Sequence, residues 1–351
     1  MKSLGFSPKR AFTGILLTST LGLALAGCGG GSSTGGVHPG CTPGSNNSLP
    51  KLANAHKIGF SENSLDGAWR NAEQSSMQSE ATARGFQLIS TNANNSDNQQ
   101  VQDINTLISD NVDALVIAPL TEDAEAAAII KARQQCIPVF LVDRNANESL
   151  ASPGHDFVTF LGSDFEQQGQ RAADAMIEAM GGPSATGNVI ELKGSTGASP
   201  AILRSAGFDE ELAAKAPGIK IVAQQDANFD RTTAQKVTAT LIQQFPNVQG
   251  LFGANDEEAI GAITALNAAG KHPGTDIKVV SIDGTKDGTN LILQGQEYAI
   301  IESNPHFGKI TFDAIQSYEN GQSVPAWIVV QDREFKLADG TAAAYINNGA
   351  F

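Results

Sequence analysis

The sequence predicts an α/β protein of two lobes, each built on a parallel sheet. Three observations carry that prediction. Short β-branched runs alternate with longer helical patterns from residue 57 onward. The strand-like runs are continuously apolar rather than alternating, as burial on both faces requires. The 351 residues, 41% hydrophobic and 17% charged, are too many for one ordinary core and enough for two.

The elements follow in order. The first half carries strands at 57–61 (KIGFS), 86–90 (FQLIS), 114–118 (ALVIA), 138–142 (PVFLV) and 157–161 (FVTFL). The second half carries them at 188–192 (NVIEL), 219–223 (IKIVA), 249–253 (QGLFG), 277–282 (IKVVSI) and 298–302 (YAIIE). Between them the spacing predicts helices near 66–84, 99–110, 122–135, 165–180, 200–216, 231–245, 256–269, 285–294 and 306–320. Gly85 and Gly270 stand where helix stops are expected. Ten strands joined by helices make βαβ units, and so many divide into two sheets.

The N-terminus reads as an address. Lys2, Lys9 and Arg10 precede a short apolar stretch, 11–25, and then Leu25-Ala26-Gly27-Cys28. That order describes a secretory signal, and its last four residues resemble the bacterial lipoprotein lipobox. By that resemblance residues 1–27 are removed and Cys28 carries lipid outside the cytoplasm, on the periplasmic side or the cell surface. Residues 28–50 are rich in Gly, Ser, Thr, Pro and Asn, a tether composition. Of the other two cysteines, Cys136 reads as a small buried core residue and Cys41 as simply exposed. Outside the cytoplasm the two could also pair.

Charge excludes several functions. Lys plus Arg number 23 against 37 Asp plus Glu, a formal charge of −14, and loss of the signal makes the chain more acidic still. A nucleic-acid or anionic-membrane binder needs a basic face. No Gly-x-Ser-x-Gly elbow joins a strand to a helix, and no His-Glu-x-x-His or Gly-x-x-x-x-Gly-Lys occurs. Histidines 38, 56, 155, 272 and 306 are scattered, with none at zinc spacing. An enzyme, a metal site and a cofactor are therefore not expected.

In open parallel sheets, ligands bind beyond the carboxyl ends of the strands. The residues there are Ser61-Glu62-Asn63, Asp66, Trp69 and Arg70, then Asp143-Arg144, Gly194–Gly197, Asn228-Phe229-Asp230-Arg231, Asn255-Asp256, Asp283-Gly284 and Glu302-Ser303-Asn304. Carboxylates, amides and guanidiniums suit the hydroxyls of a sugar, and Trp69 or Phe229 suits its C–H face. Singly, each has a plainer reading: a surface turn for Asp143-Arg144, helix core for Trp69, a loop plug for Phe229, a helix cap for Asn255-Asp256, a solvated helix position for Arg204.

At these residues the sequence resembles the type I periplasmic sugar-binding proteins of ABC transporters, the ribose/galactose group, over roughly residues 55–335. The matching stretches are IPVFLVDR (137–144), GASPAILRSAGF (197–208), NFDR (228–231), ANDEEAIGAI (254–263) and SIDGT (281–285). GFSENSLDGAWRNAE (59–73) looks most like the galactofuranose-binding branch. The resemblance implies two Rossmann-like lobes joined by a hinge of three crossings, near 162–164, 303–305 and 323–326. The first lobe would hold 51–162 plus 304–324 and the second 163–303 plus 325–351. It also implies a monomer that closes on a monosaccharide, a galactofuranose-like furanose or a related pentose or hexose, and delivers it to an ABC permease and its ATPase. A sensory protein docking on a chemoreceptor or sensor kinase would have the same pocket. Trp69 would stack on the sugar, with Arg70 beside it. Asp143 and Arg144 would hold hydroxyls from the first lobe, and Arg204, Asn255 and Asp283 from the second. Phe229 would close over the ring, and Ser61 and Glu302 would complete the set. Two departures stand out: Glu62, where that branch has a neutral glutamine, and no paired cysteines in the second lobe.

Overall fold

A computed structural model describes residues 38, 40–44, 49–348 and 350–351. The predicted signal, Cys28 and part of the tether lie outside the described residues. The chain begins with β1 (Lys57–Glu62), α1 (Gly67–Arg84), β2 (Gln87–Asn92), α2 (Asp97–Ser109), β3 (Ala114–Ile117), α3 (Ala126–Gln134), β4 (Val139–Val142) and β5 (Thr159–Ser163). It continues with α4 (Phe165–Ala179), β6 (Gly187–Lys193), α5 (Ser199–Lys215), β7 (Ile219–Asp226), α6 (Arg231–Gln244), β8 (Val248–Gly253), α7 (Asp256–Ala268), β9 (Lys278–Asp283), α8 (Lys286–Leu293) and β10 (Ala299–Glu302). It ends with α9 (Gly308–Glu319), β11 (Trp327–Val330), β12 (Glu334–Lys336) and α10 (Thr341–Asn348). All ten expected strands are present; β11, β12 and α10 come in addition.

Two six-stranded sheets result, in the orders β11-β5-β4-β3-β1-β2 and β12-β10-β9-β8-β6-β7. Every pairing is parallel except that of β10 with β12. Strand alternation divides each core into two layers. In the first sheet Leu115, Ile117, Val139 and Leu141 pack under α2 and α3, while Val116, Phe140 and Val142 pack under α1 and α9. In the second, Val280 and Ile282 meet α4 and α5, while Val279 and Leu251 meet α6 and α7. Each such side chain contributes about 1.5–3 kcal/mol by leaving water. The edge strands β2, β7, β11 and β12 are partly exposed, since each has a single neighbour.

Helix α5 lies unusually close to α4 because both surfaces lack a side chain at the contact. A Cβ on Gly169 would stand 2.1 Å from the Arg204 carbonyl oxygen, and one on Gly207 would stand 2.1 Å from that of Glu166. This contact fixes the helix that carries Arg204.

The chain passes between sheets after β5, after β10 and after β11. The third passage corrects the expectation of 323–326. Trp327–Val330 adds to β5 in the first sheet, with Ile328 and Val330 packed on that sheet's core, so the passage is at 331–333. The passages are tied together. Asp332 accepts from Ser163 Oγ (3.2 Å) and Gln168 Nε2 (2.8 Å), and Gln168 also donates to the Glu302 carbonyl (3.1 Å).

The favoured reading of the cysteines is also corrected. Cys136 is buried, but it is joined to Cys41 in a disulfide across a sequence separation of 95. Their Cα atoms lie 5.8 Å apart, and the Gly44 amide donates to the Gln134 carbonyl at the end of α3 (2.8 Å). Such a bond belongs in an oxidising compartment. Among the described residues no helix is long and apolar enough to cross a membrane.

Candidate functional site

The carboxyl ends of the two sheets face a common cleft, a cavity of about 570 Å³. From the first lobe it is lined by residues that follow β1 to β4, and from the second by residues that follow β6 to β9. Five lining residues other than glycine have positive φ: Asn95 (φ 58°), Asp143 (58°), Asn228 (60°), Phe229 (58°) and Asp283 (138°). Each such residue costs of order 1–3 kcal/mol and persists only where surrounding structure holds it. The cleft is bridged on one side. The Glu122 amide donates to the Gly197 carbonyl (2.9 Å) and the Asn145 amide to Ser199 Oγ (3.0 Å).

Eight of the ten expected residues line the cavity: Trp69, Arg70, Asp143, Arg144, Arg204, Phe229, Asn255 and Asp283. Arg70 donates to Asp143 Oδ2 and to Glu73 Oε2, both at 2.6 Å. Its guanidinium also lies 4.6 Å from the Trp69 ring centroid. Burial opposes the Arg70 charge, but Asp143, Glu73 and Glu62 together raise its pKa. Arg144 donates to the Leu120 carbonyl (2.8 Å) and lies 5.4 Å from the Phe229 ring, so a cation–π contact crosses the cleft. Burial and then the like charge of Arg70 push the Arg144 pKa down. Arg204 is held by Gln168 Oε1 (2.8 Å), the Ala254 carbonyl (2.8 Å) and Ser303 Oγ (3.1 Å).

Asn255 caps α7, accepting from the Glu258 amide (2.9 Å) while still lining the cavity. Phe229 lies against Gly194, where a Cβ would stand 1.9 Å from its ring, so only glycine leaves room for the ring there. Asp283 differs from every other charged group in the set. It is 4% exposed, and its carboxylate has no hydrogen-bond partner among the described residues. Burial, then the Asp256 charge, raises its pKa well above the usual carboxylate range, with Arg204 opposing.

Ser61 and Glu302 do not line the cavity. Ser61 points from β1 toward α2, where its hydroxyl accepts from Gln100 Nε2 (3.4 Å). Glu302 points at Arg333, accepting from its backbone amide (2.9 Å) and its Nε (2.7 Å); the next residue, Ser303, lines the cavity instead. Sequence reasoning passed over Asn95, Asp97, Leu120 and Thr121, which follow β2 and β3 and line the cleft. The strand-end rule applied to those two strands finds them. Behind Arg70, Glu62 is fully buried among Glu73, Arg70 and Asp143. Burial, then the Glu73 charge, raises its pKa strongly, and burial raises that of Glu73 to about 7.

The periplasmic binding protein domain matches residues 58–323. The chain belongs to that family. It is 31% identical to the galactofuranose-binding protein of Escherichia coli over 291 residues, covering 82% of this chain and 90% of that one. Among solved structures, a Mycobacterium smegmatis protein in complex with β-D-fucofuranose has a TM-score of 0.79 at 33% identity, covering 84% of this chain and 95% of that one. The periplasmic component of the arabinose ABC transporter of Shewanella sp. ANA-3, bound to α- and β-L-arabinofuranose, has a TM-score of 0.76 at 31% identity, covering 83% and 94%. These relatives are substrate-binding proteins rather than enzymes, and the family is extracytoplasmic. The type I fold read from the sequence is the one observed.

Proposed function

We propose that this chain is the substrate-binding lipoprotein of an ABC sugar importer. Anchored through Cys28, it captures a galactofuranose-like furanose, or a related pentose or hexose, by closing its two lobes. The observation that carries this reading is the cleft itself, where paired Asp143, Arg70 and Arg144 face Arg204, Asn255 and the bare Asp283. Sugar hydroxyls, each a donor and an acceptor, suit both halves: they accept from the guanidiniums and donate to Asp283. Trp69 with Arg70 above it forms the platform for the ring, and Phe229 covers the other side. Three relatives whose names carry a furanose sugar support the furanose assignment.

Ligand reaches both lobes only when they are closed, so binding favours the closed state by that difference in contact. The closed protein, acting as a monomer, then docks on the permease, whose ATPase drives release and uptake. A thermal-shift panel of pentoses, hexoses and polyols on ligand-stripped protein carrying Cys28→Ser tests the reading. A ligand at 100 times its dissociation constant stabilises by about 2.7 kcal/mol, on the order of 5–10 °C. Shifts with galactose or arabinose and none with ribose or glucose are expected. No shift with any sugar sinks the assignment.

A further inference from the structure

We propose that Ser303 is a positioning residue of the cleft, keeping Trp69 of the first lobe in register with Arg204 of the second. This rests on the binding function above and adds a part to it. Ser303 stands at the second passage between the sheets, is 2% exposed and lines the cavity. Each of its three polar groups has a separate partner. Its amide donates to the Asp283 carbonyl (2.9 Å). Its hydroxyl accepts from Arg204 Nη2 (3.1 Å) and its carbonyl accepts from Trp69 Nε1 (2.6 Å).

The partners come from different bodies. Trp69 sits on α1, packed on the first core and tilted against Phe307, with ring centroids 6.2 Å apart. Arg204 sits on α5 of the second lobe, clamped by Gln168, which also holds the Glu302 carbonyl. The backbone at 302–303 is thus held by Trp69 of the first lobe and by Gln168 of the second, while Arg204 of the second holds the Ser303 hydroxyl. When the lobes rotate, Trp69 and Arg204 move with different bodies, yet both refer to one residue at the pivot. Removing the hydroxyl frees one Arg204 donor, and the ligand must then order that side chain at its own expense.

The chain has two tryptophans, so an indole ¹⁵N–¹H spectrum holds two signals. Trp327 is an internal reference, because it donates to the Gly162 carbonyl at the first passage (3.1 Å). In ligand-free protein, Ser303→Ala is expected to move the Trp69 signal, assigned through Trp69→Phe, and to leave that of Trp327 in place. In calorimetry with the sugar that shifts the wild type, Ser303→Ala is expected to bind roughly two- to tenfold more weakly. Trp69→Phe also weakens binding, and the double variant loses less than the product of the two losses by at least about twofold. An unmoved Trp69 signal, or losses that simply multiply, overturns the proposal. Ser303→Thr keeps the hydroxyl and is expected to retain both signal and affinity, which covers a failure of the alanine variant to fold. If no sugar binds the wild type, the binding function fails while the indole spectra still decide the role of Ser303.

Discussion

The two lobes are near-copies in plan, and their fourth strands end in aspartates that live very differently. Leaving out β11 and β12, the strand order β5-β4-β3-β1-β2 matches β10-β9-β8-β6-β7. One turn recurs in both lobes, before β5 in the first and before β9 in the second. Asp156 accepts from the Ser152 amide and Asp276 from the His272 amide, both at 3.0 Å. Yet Asp143, after β4, is bound by Arg70, while Asp283, the last residue of β9, has no hydrogen-bond partner among the described residues. The second lobe does supply an arginine, Arg204, but its donors go to Gln168, Ala254 and Ser303. One lobe completes its charge pair internally, and the other leaves a carboxylate for something else to satisfy.

That contrast can be broken most severely at Asp143. Asp143→Asn removes the ionised partner from one of the two carboxylate hydrogen bonds of the buried Arg70, leaving that to Glu73. Losing one partner of a buried pair costs about 3–5 kcal/mol, to be measured by urea unfolding of ligand-free protein. Next comes the bond confined to the first lobe. Cys41→Ser with Cys136→Ser should lower stability by about 2–4 kcal/mol, and differential exchange should place the loss in α3 and β4 rather than the second lobe.

Third is pH. Burial raises Glu73 to about 7, Glu125 to about 8 and Glu191 to about 8, so both lobes hold carboxyl protons that the unfolded chain releases near pH 4.5. Groups with raised folded pKa values contribute fully below the unfolded value and lose that contribution as pH rises through the folded one. Thermal unfolding should therefore show lower stability at pH 8.5 than at pH 5.5, by roughly 1–3 kcal/mol for each such group; equal midpoints would contradict the burial argument. The smallest effect is the most diagnostic. Asp283→Asn should stabilise ligand-free protein by about 1 kcal/mol, because it replaces a buried carboxyl group whose ionisation burial opposes with a neutral amide, while weakening sugar binding. If both asparagine variants shift the midpoint alike, the contrast between the lobes disappears.

Much of this was legible from sequence because buried parallel strands are written as apolar runs and their ends are punctuated. All ten such runs became strands, and eight of ten chosen residues meet in one cleft. What was not legible depends on direction and distance. Ser61 and Glu302 sit at strand ends, but each side chain points away from the cleft, toward Gln100 and Arg333. β11 is too exposed to carry the signature of a buried strand, since Trp327 and Val329 face solvent on an edge. The Cys41–Cys136 bond joins positions whose nearness is created only by the fold.

That bond also settles how load enters the molecule. A pull along the segment before Cys41 does not arrive at the start of β1. It enters through Cys136 at the end of α3, and the residues just past Cys41 are tied to the same body, with the Pro50 carbonyl held by Tyr318 and the Ala55 amide by Glu319. Under the proposed anchoring through Cys28, the first lobe would be the stator and the second the rotor, and each closing stroke would be made by the lobe that carries the bare Asp283.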